Sequence, residues 1–197
     1  GAGALTLRAS TSLGPSTAVS LPNAVNLGAN TLSLVGTNAT TLSGVISGTG
    51  ALVKSGAADL TLNGANTFSG GLTLNTGKLT VGNNNALGGG ALTLGGNASL
   101  DANTGVSLAN AVNLGANTLS LLGTSATTLG GVISGTGALV KSGAADLTLN
   151  GANTFSGGTT LNTGKLIVGN NTALGTGALT LGGNASLDAN ATVNLGN

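Results

Sequence analysis

Apolar and polar residues alternate along this chain in short runs of a few residues each. Typical runs read LTL, LSL and KLTV, and Gly, Asn, Ser or Thr separates one run from the next. Alternation with a period of two, bounded by turn-forming residues, predicts short strands that bury one side. A helical interpretation fails, because Gly, Asn and Thr are poor helix formers and no apolar residue recurs at helical spacing. The pattern therefore predicts an all-β protein.

The runs are organised by an internal repeat. The segment NAVNLGANTLSL begins at Asn23 and again at Asn110, and this offset of 87 residues holds along the whole chain. The segment SGTGALVKSGAADLTLNGANTFSGG begins at Ser47 and recurs without change at Ser134. We therefore describe 1–197 as one elongated domain cut from a repeat array. It divides into a partial unit at 1–22 and full units at 23–109 and 110–196.

Each full unit contains four lines of about 22 residues, a length in the range of solenoid repeats. We align the second apolar pairs of successive lines as Leu60/Leu62, Leu79/Val81, Ala98/Leu100 and Leu119/Leu121. Three short strands per line, with each line returning to the same face, predict a parallel β-helix, or β-solenoid. About nine coils at about 4.8 Å each would make it roughly 43 Å long.

Charged residues follow the same rhythm. Asp59 and Lys78 precede the second strand of consecutive lines, and Asn97 has that place on the next line. The next unit repeats the three positions as Asp146, Lys165 and Asn184. We expect a surface column in which Asp and Lys on adjacent coils pair. Such an exposed pair is worth about 0 to 1 kcal/mol, so its role is to fix the register of the coils.

The stretch from Gly48 to Leu94 resembles the passenger-associated repeat of bacterial autotransporters. That pattern runs G-x-G-x-L-x-K-x-G-x-x-x-L-x-L, then G-x-N-T-[FY]-[ST]-G-G-T, then G-x-L-x-V-G and A-L-G-x-G. Residues 135–181 match it again, and Thr159 restores the Thr that Leu72 replaces. The resemblance implies a right-handed β-helical passenger exported to the bacterial surface. Passengers of this family include adhesins, enzymes and toxins, and the repeat itself usually serves as a stalk.

Composition removes most catalytic chemistry, because the chain has no His or Cys to act as a general base or thiolate. The ionisable side chains are Asp59, Asp101, Asp146, Asp188, Arg8, Lys54, Lys78, Lys141 and Lys165. Every acid and every lysine recurs at the repeat offset, whereas an active site is normally a unique constellation. We interpret them as solvated or ladder-forming surface charge. Asp59 and Asp101 are two coils apart, too far for a paired-carboxylate site. We therefore predict no enzyme and no catalytic, cofactor-binding or metal-binding residue.

Two further features concern partners. Phe68 and Phe155, the only aromatic residues, each end a coil, and we expect them in the interior rather than on a binding surface. A net charge of +1 offers no electrostatic footprint for nucleic acid. No apolar run approaches the roughly 18 residues of a membrane-spanning helix.

The leading hypothesis is a non-enzymatic stalk or fibre-forming segment on a bacterial surface or outside the cell. The alternative is an adhesin-type module that contacts glycan, protein or another cell through one solenoid face. Neither end of the sequence shows the polar cap that solenoids need, so open strand edges are expected there. We expect those edges to pair with a second copy, end to end, or with flanking repeats of a longer parent chain.

Overall fold

The computed structural model describes residues 3–197, and there every regular element is a β-strand in a parallel pairing. The chain winds into a β-solenoid of about nine turns. Each turn visits three faces, which we number 1 to 3 in the order of the chain. The predicted all-β parallel solenoid is confirmed, and its right-handed sense stays a prediction from the resemblance.

The strands of each face stack along the solenoid axis. Face 1 carries β1 (Leu5–Thr6), β4 (Val25–Asn26), β7 (Ile46–Ser47), β14 (Val106–Leu108), β17 (Thr127–Leu129) and β20 (Leu147–Leu149). Face 2 carries β2 (Thr11–Leu13), β5 (Leu32–Leu34), β8 (Leu52–Lys54), β10 (Leu72–Leu74), β12 (Leu92–Leu94), β15 (Val112–Asn113) and β18 (Ile133–Ser134). Face 3 carries β3 (Val19–Leu21), β6 (Thr40–Leu42), β9 (Leu60–Leu62), β11 (Lys78–Val81), β13 (Ala98–Ala102), β16 (Thr118–Leu121) and β19 (Ala138–Lys141). The long strands β21 (Thr159–Val168) and β22 (Leu179–Ala189) run from face 3 onto face 1.

The coils are slightly shorter than the lines read from the sequence. Leu60 pairs with Leu79, nineteen positions later, and Leu79 pairs with Leu100, twenty-one positions later. The alignment of Ala98 with Leu79 is therefore wrong, because Leu100 holds that place. Strand β13 has five residues, and its last four pair with β11 whereas its first three pair with β16. This stagger shifts the apolar pair by two positions and keeps the same side inward.

The core consists of inward-facing files that run along the axis. On face 2 one file reads Leu13, Leu34, Lys54, Leu74 and Leu94 through successive register pairs. Its leucines from Leu34 onward are at most 3% exposed. Full burial of a leucine contributes about 1.5 to 3 kcal/mol relative to exposure. Stability therefore accumulates coil by coil, each coil covering the apolar side chains of its neighbour.

The sequence unit is not a whole number of coils. Leu52 pairs with Leu72 and Leu72 with Leu92, so the chain returns to the same face every twenty positions there. The repeat offset of 87 residues is longer than four coils of twenty residues. The excess is about the length of chain that covers one of the three faces. Equivalent residues consequently lie on different faces: Ile46 on face 1 and Ile133 on face 2, Lys54 on face 2 and Lys141 on face 3, Leu60 on face 3 and Leu147 on face 1. Each unit is thus rotated by one face, a third of a turn, relative to the one before it.

This rotation explains the sheet topology. In each unit, two successive passes, at the ANTF and ALG segments, form turns or irregular backbone instead of a strand. In the first unit they lie on face 1, and the three-stranded sheet ends at β7. In the second unit they lie on face 2, and the seven-stranded sheet ends at β18. Face 3 has neither interruption, so its nine strands belong to one sheet. Strand β21 joins β14, β17 and β20 of face 1 to that sheet, which makes twelve strands.

The two units differ in the core at Leu72 and Thr159, which occupy equivalent buried places. Leu72 stacks between two leucines, and Thr159 also stacks between two leucines, Leu139 and Leu179. The Thr159 hydroxyl is buried and has no hydrogen-bond partner among the described residues. A buried hydroxyl without a partner costs about 1 to 3 kcal/mol.

We expect Thr159→Leu to raise the free energy of unfolding by about 1 to 3 kcal/mol, because it removes that hydroxyl and adds buried apolar surface. Urea denaturation followed by circular dichroism measures the change. The matched control is Leu72→Thr, which should lower stability by a similar amount. A destabilised Thr159→Leu variant would contradict the equivalence of the two places.

Candidate functional site: the polar corners of the coils

Two ion pairs lie on the solenoid surface. Lys78 Nζ is 2.9 Å from Asp59 Oδ2, and Lys165 Nζ is 3.2 Å from Asp146 Oδ2. The four side chains are between 33% and 48% exposed, so solvent screens both pairs. The predicted pairing of Asp with Lys on adjacent coils is confirmed. The first pair flanks face 3 and the second flanks face 1, as the rotation of the unit requires.

The predicted continuation of this column to Asn97 and Asn184 is wrong. Lys78 pairs in register with Ser99, and Lys165 pairs with Ser186. Asn97 lies two positions earlier, where its Oδ1 accepts a hydrogen bond of 2.8 Å from the backbone N–H of Thr118. The two-residue stagger of β13 is the cause. The column therefore continues from Lys to Ser, and Asn97 links its coil to the next at the corner.

Lys54 and Lys141 are buried, so their interpretation as surface charge is wrong. They are 2% and 1% exposed. Each takes a leucine position in an inward file, with leucines on both neighbouring coils. The alternation in ALVKSG already places Lys54 on the same side as Leu52. The sequence interpretation followed the general rule that lysines are exposed instead of this signal. The aliphatic part of the side chain packs like a leucine while the ammonium reaches a corner.

The ammonium of Lys54 joins two consecutive corners. It donates to the carbonyl oxygen of Gly56 on its own coil and, at 3.2 Å, to that of Thr76 on the next coil. Gly77 adopts a φ of +77°, and a Cβ there would lie 2.9 Å from the ammonium nitrogen. Lys141 repeats the arrangement with the carbonyls of Gly143 and Thr163. In each unit, a buried lysine ammonium thus joins the K-S-G segment of one coil to the N-T-G segment of the next.

Burial sets the protonation behaviour of these lysines. Desolvation lowers the pKa of Lys54 below its usual 10.5, and the nearby charge of Asp59 opposes that shift. Desolvation likewise lowers the pKa of Lys141, with Asp146 opposing. The carbonyl contacts satisfy the ammonium in part, so each site holds a buried cation at a cost in stability.

Asp101 is also less exposed than predicted. It is 9% exposed, and its carboxylate accepts hydrogen bonds from the backbone N–H of Thr124 at 3.0 Å and from its hydroxyl at 2.6 Å. Its equivalent Asp188, on the last described coil, is exposed. Asp59 and Asp101 are two register steps apart, as predicted, because Thr61 pairs with Thr80 and Thr80 with Asp101. Arg8 is exposed near the other end.

A buried asparagine replaces backbone pairing where the strands are interrupted. Asn66 Oδ1 accepts a hydrogen bond of 2.8 Å from the N–H of Ile46, and its Nδ2 donates to the carbonyl of Ala86 at 2.7 Å. The side chain therefore bridges three successive coils. Asn153 makes the same two bonds, to Ile133 and Ala173. Sequence reasoning assigned such asparagines only to corners, although the identity of ANTF in both units marked this one.

The aromatic residues lie in the interior, as predicted, with Phe68 and Phe155 fully buried. Gly88 on the next coil has a φ of +66°, and a Cβ there would lie 2.9 Å from the Phe68 ring and closer still to its carbonyl oxygen. The next coil can therefore pass this close to Phe68 only because residue 88 is glycine, which has no Cβ.

The described polar groups contact neighbouring coils rather than converging on a cleft. Within residues 3–197, no three His, Cys, Asp or Glu side chains are grouped closely enough to hold a metal ion. The same residues contain no helix long and apolar enough to cross a membrane. The prediction that the chain has no catalytic or cofactor-binding residue stays a prediction.

The protein is thus a β-solenoid built from a sequence repeat, and each repeat unit contains the buried polar residues that join its neighbouring coils. Two segments, residues 52–81 and 139–168, match the passenger-associated-transport-repeat family. These segments contain the buried lysine, the bridging asparagine and the phenylalanine of each unit. The resemblance to autotransporter passenger repeats is confirmed.

One relative is the Adhesin BmaC autotransporter of Brucella suis biovar 1 (strain 1330). The two sequences are 39% identical over an alignment of 141 residues, and the match covers 64% of this chain and 4% of the relative. The chain thus spans a small part of the length of the protein it matches. No solved structure matches this chain.

We expect the stability of the protein to rise with pH as the pH approaches 10.5. The pKa of Lys54 and Lys141 is lower in the folded than in the unfolded chain, so the unfolded chain binds more protons between the two values. Urea denaturation at pH 7, 8, 9 and 10 measures this slope. Lys54→Met with Lys141→Met should flatten it.

The matched control is Lys78→Met with Lys165→Met, which removes two exposed lysines of the same units. This variant should keep the slope and lose at most about 1 kcal/mol of stability per pair. A slope that persists without the buried lysines would show that they are not its source.

Proposed function

We propose that this chain is a structural segment of a bacterial autotransporter passenger, a stalk that holds other parts of a long surface protein away from the cell. The observation that carries the proposal is that one apolar core runs along the axis through both units, and that buried polar side chains join its coils in each unit. The two buried lysines and two buried asparagines all contact adjacent coils. A rod assembled in this way extends by adding coils, each of which gains stability from its neighbours.

Location and chemistry fit this role. The autotransporter likeness indicates a bacterial cell surface or extracellular location. It also favours a non-enzymatic segment, as does the arrangement of the ionisable groups, which pair between coils and do not form a paired-carboxylate site. No step of the proposed role requires a bound metal or cofactor.

Each end of the described solenoid presents apolar surface that a further coil would cover. At one end, Leu5 is 48% exposed and borders an open recess of about 430 Å³, lined also by Leu7, Leu13 and Leu21. At the other, Leu181 is 56% exposed. We propose that the occupant is a flanking coil of the same repeat, because the matched relative is far longer than this chain. Pairing with a second copy is the alternative.

A second candidate function is adhesion, because the matched relative is named an adhesin. The outward positions of face 2 form a file of short side chains, Ser33, Val53, Thr73, Thr93 and Asn113. Such a file offers hydroxyl and amide groups to a glycan or protein. No aromatic side chain accompanies it, since both phenylalanines are buried.

If the chain is a stalk, its length should follow the number of coils. Electron microscopy of the purified chain should show rods of about 43 Å, and deletion of 23–109 should shorten them by about 21 Å, at about 4.8 Å per coil. The deletion joins Pro22 to Asn110, and Asn110 is the residue equivalent to Asn23, so the coil path continues. Particle lengths unrelated to the deletion would argue against the stalk.

Sedimentation of the same samples addresses the ends. A variant with residues 68–87 repeated before Gly1 supplies one further coil of matching sequence phase. It should be more stable than the parent, because Leu5 becomes covered and the number of paired coils rises by one. A parent that sediments as concentration-dependent filaments would favour pairing between copies over flanking coils.

Adhesion has a separate readout. Fluorescently labelled chain is incubated with host cells and with a glycan array, beside the Thr73→Ala and Thr93→Ala double variant. Binding that is lost in this variant would favour the adhesin candidate. Equal, background-level signals from both proteins agree with the stalk.

A further inference from the structure

We infer that the surface of the repeat unit winds around the stalk, so that equivalent patches point in three directions and return to one face only every third unit. This inference deepens the proposed stalk function. It concerns which partners can contact the repeat, a point on which the two candidate functions differ. The arrangement follows from a mismatch between the length of the repeat unit and the length of the coil.

The mismatch is visible in the surface features of both units. The Asp59–Lys78 pair flanks face 3, and the Asp146–Lys165 pair flanks face 1. Val45 and Val132 are equivalent apolar residues of the two units, 42% and 44% exposed. Val45 precedes β7 on face 1 whereas Val132 precedes β18 on face 2. The ion pairs and the exposed valines are therefore rotated around the solenoid axis by the same amount, one face per unit.

The repeat distance along one face follows from these positions. One unit advances about four and a third coils, or about 21 Å at about 4.8 Å per coil. Three units make about thirteen coils, so a patch reappears on the same face after about 62 Å. Between those points the other two faces each display the patch once.

This geometry separates two classes of partner. A flat surface that lies along one face of the stalk meets an equivalent patch only about every 62 Å, which weakens any gain from multiple contacts. A partner that surrounds the rod, such as neighbouring stalks in a surface layer, meets one patch per unit. The unit is therefore suited to contacts on all sides and not to a single continuous adhesive face.

Distances between spin labels test the winding. The chain has no cysteine, so labels attach only where cysteine is introduced. Ser33→Cys with Ser120→Cys labels equivalent positions of the two units, on face 2 and face 3. Ser33→Cys with Ser134→Cys labels two positions on face 2, five register steps apart. All three serines are half-buried outward positions of short strands.

The two hypotheses predict opposite orders. If the unit winds, the Ser33–Ser120 distance is the longer, about 30 Å against about 24 Å. The axial rise of about 21 Å is then combined with a lateral separation of about 20 Å, because the labels point outward from two different faces, each about 20 Å wide at about 3.3 Å per residue. If the unit were four whole coils on one face, the Ser33–Ser120 distance would be about 19 Å and the shorter of the two. Double electron–electron resonance resolves this difference, and circular dichroism verifies that both variants fold.

A longer Ser33–Ser120 distance supports the winding, and the reverse order overturns it. The readout is independent of rod length and of cell binding. The stalk proposal could therefore fail while the winding holds, or the winding could fail while the rods remain.

Discussion

The structure depends on one constraint, the parallel pairing of each coil with the next at the spacing of β-strands. Most of the short strands have only one or two inward residues, too few to bury themselves, and these residues are covered by the coils above and below. Identical residues recur because each coil must cover its neighbour. The file from Leu13 to Leu94 on face 2 shows this, with one lysine as its exception.

The exceptions to the apolar core reinforce the same constraint. Lys54 and Asn66 are buried polar residues, and each uses its polar atoms to join consecutive coils. A leucine at either place would pack, but the corner carbonyls and the interrupted strand would keep unpaired backbone groups. Glycines such as Gly77 provide the space that these side chains need. The buried polar side chains of this fold therefore specify how the coils align, although their desolvation costs stability.

The relation between unit and coil connects this architecture to function. A unit of four whole coils would align its charges, its valines and its strand interruptions on one face. The additional face in this unit distributes all three around the axis, so no side is weakened throughout by the interruptions. Face 3 remains fully stranded beside them. For a stalk, this distribution avoids a continuous line of strand interruptions along any one side.

The sequence by itself determined the fold class, the parallel stacking, the Asp59–Lys78 pair and the buried phenylalanines. All of these follow from alternation and repetition, which act over a few residues or between identical segments. Only the tertiary structure decided that Asn97 is outside the charged column and that the unit turns by one face. These outcomes depend on small differences in length between successive coils and on the stagger of β13. The difference in length between one line of the sequence and one coil of the structure is too small to recognise in a single line. Summed over four coils, it moves a residue to another face.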